Sequence, residues 1–219
     1  MQNTTENNLT ETISNEIIST SVDLGLDYSE LILDDFLADG ILKEVPIIKT
    51  IYSIGKIGFS IKERFFVKKL FVFLQEFHNQ NITPQKLNAF KAKFNSDEKY
   101  RNKVTEQLMI FTDSFLTVDK SKVLAKLFKS YIDGHFDWEY FLHLSTCLNS
   151  IHPKTFPFLQ QLSNHNFKIS EEPTQRGIPR DGENEALLYS TGIAFETSSW
   201  SSGFNVSQLG KDLFNYGIK

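Results

Sequence analysis

VPIIKTIYSIGKIGFSIKERFFVKKLFVFL, from Val45 to Leu74, is the stretch whose reading decides the fold. Pro46 suits the first turn of a helix, where a missing backbone N–H costs nothing. On a helical wheel Lys49, Ser53, Lys56 and Ser60 recur at i, i+4, i+7 and i+11 and draw one narrow polar stripe. Ile47, Ile48, Ile51, Ile54, Ile57, Phe59 and Ile61 cover most of the remaining circumference. Gly55 and Gly58 lower helix propensity and mark a bend or a close helix–helix approach. After Glu63-Arg64 the apolar run resumes from Phe65 to Phe77, broken by Lys68 and Lys69. A helix that apolar nearly all round belongs at the centre of a bundle, so the chain is expected to be mainly α.

Helical signals continue on both sides. Tyr28–Leu37 carries Leu31, Ile32, Phe36 and Leu37 at helical spacing, and Asp39-Gly40 would end it. Pro84 opens a helix to Phe94, and Ser96-Asp97 caps the next, to about Leu116. Asp119 caps Ser121–Ile132, which Asp133-Gly134 stops; Asp137–Ser150 and a helix from Pro153 follow. Residues 1–12 are rich in Asn, Thr and Glu and are expected to be disordered, with a weak helix following around Ile13–Ser19. Residues 13–165 then form the bundle, and 166–185, with Pro173, Gly177, Pro179 and Gly182, a linker. Residues 186–219 read as helix, hairpin, helix, with strands around Ile193–Thr197 and Phe204–Val206 and Ser207 capping the last helix. The expected fold is a multi-helix bundle with a small winged-helix-like α/β module at the C-terminus.

Composition narrows the function. Twenty Phe outnumber Tyr and Trp together, which predicts a dry aromatic core. A net charge of −4 argues against phosphate neutralisation, so nucleic acid is not an expected partner. One cysteine, Cys147, leaves no internal disulfide and no multi-cysteine zinc site. With no basic start followed by an apolar signal core, and no apolar run of membrane-spanning length, a cytoplasmic location is expected. The charge is unevenly placed. Residues 1–44 hold ten acids against Lys43, whereas 45–74 hold six bases against Glu63. An acidic arm masking a basic helix is the simplest arrangement.

Chemical motifs are scarce, and no cofactor is expected. KLFKSYIDGHFDWEYFLHL, Lys126–Leu144, has the cadence of an EF-hand. With Gly134 at loop position six, however, only Asp133 supplies an oxygen ligand. Asp133, His135 and Asp137 alternate and would face one way if extended, which makes them weak metal candidates and the basis of a minor reading as a metal-dependent hydrolase. Cys147 falls inside a helix, where thiols are usually inert. SIGKIGFS lacks the first glycine and the spacing of a phosphate loop. No catalytic residue is nominated.

Surfaces remain. The 46–74 region would meet a protein partner or an anionic membrane through Lys49, Lys56, Lys62, Arg64, Lys68 and Lys69, with Ile51, Ile54, Phe59, Phe65 and Phe66 supplying apolar area. In the membrane case the protein would sit peripherally on the inner membrane. Self-association into a homo-oligomer is left open. The alternative is a winged-helix regulator that binds DNA as a dimer, although residues 181–219 hold five acids against Lys211 and Lys219.

The quoted stretch, followed by KVLAKLFKSYIDGHFDWEYFLHLS (122–145) and FNVSQLGKDLFNYG (204–217), resembles a group of bacterial helical proteins. The ordering of these pieces is similar to that of the abortive-infection alpha type of phage-defence protein. The resemblance covers residues 40–217 in pattern and implies a conflict function in bacteria. Its motifs are packing motifs, so it carries over no catalytic residue.

Overall fold

The computed structural model describes residues 2–19, 61–167, 169, 178–196 and 204–219. The helix expected over Tyr28–Leu37, and the Lys49–Ser60 part of the amphipathic stretch, lie outside them. Among the described residues the order is α1 (Gln2–Ile18), α2 (Ile61–His78), α3 (Pro84–Ser96), α4 (Glu98–Ser114), α5 (Asp119–Ile132) and α6 (Trp138–Ser150). A 3-10 turn (Pro153–Thr155), α7 (Phe156–Asn164), α8 (Gly182–Tyr189), β1 (Ala194–Glu196), β2 (Phe204–Val206) and α9 (Gln208–Leu213) follow. A π-helical turn, Phe214–Ile218, closes the chain. The protein is mainly helical with a small antiparallel two-stranded sheet at its C-terminal end.

The chain divides into two compact units, residues 1–125 and 126–219, and the division falls inside α5. Within the second unit α6 packs on α9 and α7 on the closing π turn; of the expected 166–185 linker, residues 168 and 170–177 lie outside the described residues.

In the first unit α2 is the core helix that its sequence implies. Val67, Leu70, Phe71, Val72, Phe73, Leu74 and Phe77 are all buried. From α4, Val104 and Leu108 are buried as well, and α2 packs along that helix. On α3, Phe90 and Phe94 each meet the Tyr100 ring edge-on. Asp97 caps α4 by accepting from the Tyr100 amide at 2.9 Å. The N-terminal segment expected to be disordered is helical from Gln2 onward. Its anchor is the i, i+4 pair Ile13 and Ile17, both buried, beside a Ser14–Thr105 hydroxyl contact of 2.9 Å to α4. The His78 ring donates through Nε2 to the Glu16 carbonyl at 2.9 Å, near the end of α1.

In the second unit, the later half of α5 contributes Leu127, Phe128 and Ile132 to the core. Gly134, at φ 82°, ends that helix in the left-handed region. Asp137 then caps α6 by accepting from the Tyr140 amide at 2.8 Å. Around this corner Phe128, Tyr131, Trp138 and Phe141 form one aromatic cluster with centroids 5.0–6.0 Å apart. Residues 182–185, read from sequence as loop, are the first turn of α8, which Asp181 caps by accepting from the Asn184 amide. The buried Glu185 carboxylate accepts from the Asp181 amide at 2.8 Å and pairs with Arg180 at 2.7 Å. The hairpin pairs Ala194 with Val206, Phe195 with Asn205 and Glu196 with Phe204.

Gly210 is where α9 closes on the hairpin. A Cβ there would lie 2.5 Å from Ile193 Cγ2 and 2.6 Å from the Ile193 carbonyl oxygen, and the latter is backbone that cannot step aside. Gly210→Ala should therefore lower stability by about 1–3 kcal/mol, despite the better helix propensity of alanine. Urea denaturation checks this, and a stabilised variant would refute the close approach.

Candidate functional site

Of the predicted surface residues, Lys49, Ile51, Ile54, Lys56 and Phe59 lie outside the described residues. Lys62, Arg64, Phe65, Phe66, Lys68 and Lys69 all fall on the first turns of α2. Lys62 and Arg64 are exposed, whereas Phe66 and Lys68 are half-buried. Arg64 and Lys68 form no ion pair among the described residues.

Lys69 departs from the expected strip. It is only 2 % exposed. Its ammonium donates to the Asp113 carbonyl at 2.6 Å and to the Phe115 carbonyl at 2.8 Å, and it lies 5.2 Å from the centre of the Phe65 ring. These acceptors sit at the C-terminal end of α4, where carbonyls lack helical partners and the helix dipole favours a cation. Burial pushes the Lys69 pKa down, and the Asp113 carboxylate pushes it back up. Lys69 is thus a helix clasp and not a surface charge. Lys62, two turns earlier, reaches the Asp113 carboxylate at 3.4 Å.

The clasp decides what the neighbouring residues present. Beyond Ser114 the chain turns extended at Phe115, whose ring is buried, and Leu116 then stands 84 % exposed. One turn before Asp113, Ile110 is 58 % exposed; at the start of α2, Ile61 is 88 % and Phe65 38 % exposed. The outcome is a set of apolar tips from two elements, tied together by Lys62 and Lys69 and bordered by Arg64 and Lys68. Sequence reasoning named Phe65 and missed Ile110 and Leu116. No periodic rule decides which of the adjacent pair Phe115-Leu116 turns inward once a helix has ended.

The other sequence candidates do not assemble. Asp133 pairs with Lys129 at 2.9 Å, Asp137 caps α6, and His135 lies against Tyr216 with ring centroids 5.0 Å apart. Gly134 breaks the extended geometry that would have aligned the three, and among the described residues no group of three His, Cys, Asp or Glu is placed to hold a metal. Burial pushes the Cys147 thiol pKa up, which lowers its reactivity. A cleft of about 540 Å³ between α1 and α4 is lined by Glu11, Asn15, Asn95, Glu98, Arg101 and Asn102, among others. Its side chains include no Ser–His or Cys–His pair. No helix among the described residues is long and apolar enough to cross a membrane. No family model, no curated protein and no solved structure matches this chain.

Lys120, at the start of α5, is a second buried lysine, 4 % exposed, with its Nζ 6.0 Å from the Phe115 ring centre. Burial lowers its pKa to about 8, from 10.5. Above pH 8 the folded chain releases this proton while the unfolded chain keeps it until about pH 10.5. The unfolded state then binds more protons, so this residue's contribution to stability rises with pH across that window. Denaturation midpoints of wild type and Lys120→Met, followed from pH 7 to 10.5, should converge or cross in the direction of a relative gain for wild type. Parallel curves would contradict the burial.

Proposed function

We propose that this protein is a non-enzymatic binding protein that engages an anionic partner through the face built by the first turns of α2 and the end of α4. One observation carries the reading: Ile61 protrudes on the same turns of α2 as Arg64 and Lys68, cations not spent on carboxylates of the described fold, and Ile110 and Leu116 protrude beside the Asp113–Phe115 segment that Lys62 and Lys69 hold. Single exposed apolar residues are ordinary, but several meeting at one charged edge mark an interaction site. Protein contact and peripheral membrane attachment would use this same face. A setting in bacterial antiphage defence rests on the pattern resemblance alone. The winged-helix, DNA-binding alternative has less behind it. The described part of 178–219 holds Asp181, Glu183, Glu185, Glu196 and Asp212 against Arg180, Lys211 and Lys219, a poor match for phosphate.

The charge element can be tested without knowing the partner. At pH 7 and low ionic strength a chain of net charge −4 should bind a sulfonate column only through a local basic patch. Wild type and the control Lys86→Gln/Lys99→Gln/Lys103→Gln should be retained, and Lys62→Gln/Arg64→Gln/Lys68→Gln should flow through. Both triple variants carry the same net charge. Equal retention of the two, or no retention of wild type, would remove the face from the account.

A further inference from the structure

The geometry points to an anionic lipid bilayer as the partner of this face, an inference that rests on the reading just proposed. Ile61 and Leu116 are 88 % and 84 % exposed, so their side chains touch almost nothing of their own protein. They are protrusions and not the walls of a groove. A protein partner would have to offer a shaped pocket to each, whereas hydrocarbon accepts a projecting side chain of any outline.

The cations fit the same choice. Lysine is depleted at protein–protein interfaces, while Lys and Arg are favoured where headgroups meet the apolar layer, because their stems lie in the layer and their charges return to phosphate. Lys62, Arg64 and Lys68 stand within two turns of α2, beside Ile61 and Phe65. The tips come from two elements, α2 and the α4 end. The Lys62–Asp113 pair and the Lys69 bonds to the Asp113 and Phe115 carbonyls join them. That makes an edge with apolar tips from both elements. Asp113 works against binding: its carboxylate, 3.4 Å from the Lys62 ammonium, faces the phosphates and offsets one cation.

The test is co-sedimentation of the full chain with phosphatidylcholine vesicles, with and without phosphatidylglycerol. Wild type should bind only the anionic vesicles. Ile61→Ser/Leu116→Ser keeps every charge and alters only exposed side chains, yet should bind about tenfold or more weakly. Asp113→Asn should bind the anionic vesicles more tightly than wild type while still leaving phosphatidylcholine vesicles unbound, whereas a chain exposing its core would bind both. Wild type bound to neither vesicle overturns the inference, as does a Ser/Ser variant that binds like wild type. Retention on the sulfonate column without vesicle binding would leave the basic face standing and point to an acidic protein. Failure on both would remove the face and the bilayer together.

Discussion

An ammonium group removed from water and set between α2 and the C-terminal end of α4 is the constraint on which the described part of the first unit depends. The Lys69 ammonium satisfies the Asp113 and Phe115 carbonyls, which α4 itself leaves without helical donors. Burying a lysine is costly, and the cost is offset only where charged hydrogen bonds replace those to water. Two bonds of 2.6 and 2.8 Å, with the Phe65 ring at 5.2 Å, supply that replacement. Because the carbonyls are held from the α2 side, the chain leaves α4 in one direction. Phe115 turns in and Leu116 turns out.

The proposed surface follows from this more than from any single helix. A basic amphipathic helix alone would be an ordinary bundle element with its lysines reaching solvent. Here one lysine is taken inward, another is bound to Asp113, and Arg64 and Lys68 are left beside apolar tips that a second element contributes. The number of bases in the stretch therefore overstates its outward charge. Its apolar content, in turn, understates the exposed hydrophobic edge, because Ile110 and Leu116 come from elsewhere.

How much could be read from the sequence varies with how local the signal is. Asp97, Asp137 and Ser207 act as helix caps in the structure, since a cap is a short-range bond between a side chain and an amide three residues on. The core position of Leu70–Leu74 and Phe77 was legible because an all-round apolar helix has nowhere else to go, whereas Phe65, in the same run, stands partly exposed. The inward turn of Lys69 was not legible, as it depends on carbonyls 44 and 46 residues away in the chain. The sequence placed a weak helix at Ile13–Ser19, whereas α1 begins at Gln2, because the polar residues before Ile13 carry almost no apolar signal and the partners of Ile13 and Ile17 lie on α4. Asp133, His135 and Asp137 looked coherent only under the assumption of an extended loop. The left-handed Gly134 and the α6 cap remove it. The hairpin was visible in β1 and β2, whereas the assignment of α6 and α7 to the same unit as that hairpin needed tertiary contacts.

Comparative unfolding of Lys69→Met and Lys68→Met in urea, by far-ultraviolet circular dichroism, tests the clasp most directly. If Lys69 is the internal tie between α2 and α4, its loss leaves two carbonyls without their donor and should cost about 2–4 kcal/mol. Loss of the neighbouring Lys68, which forms no ion pair among the described residues, should cost about 0.5 kcal/mol or less. Equal midpoints for the two variants would mean that the Lys69 ammonium is not bound between the helices, and the edge that carries the proposed function would lose its support.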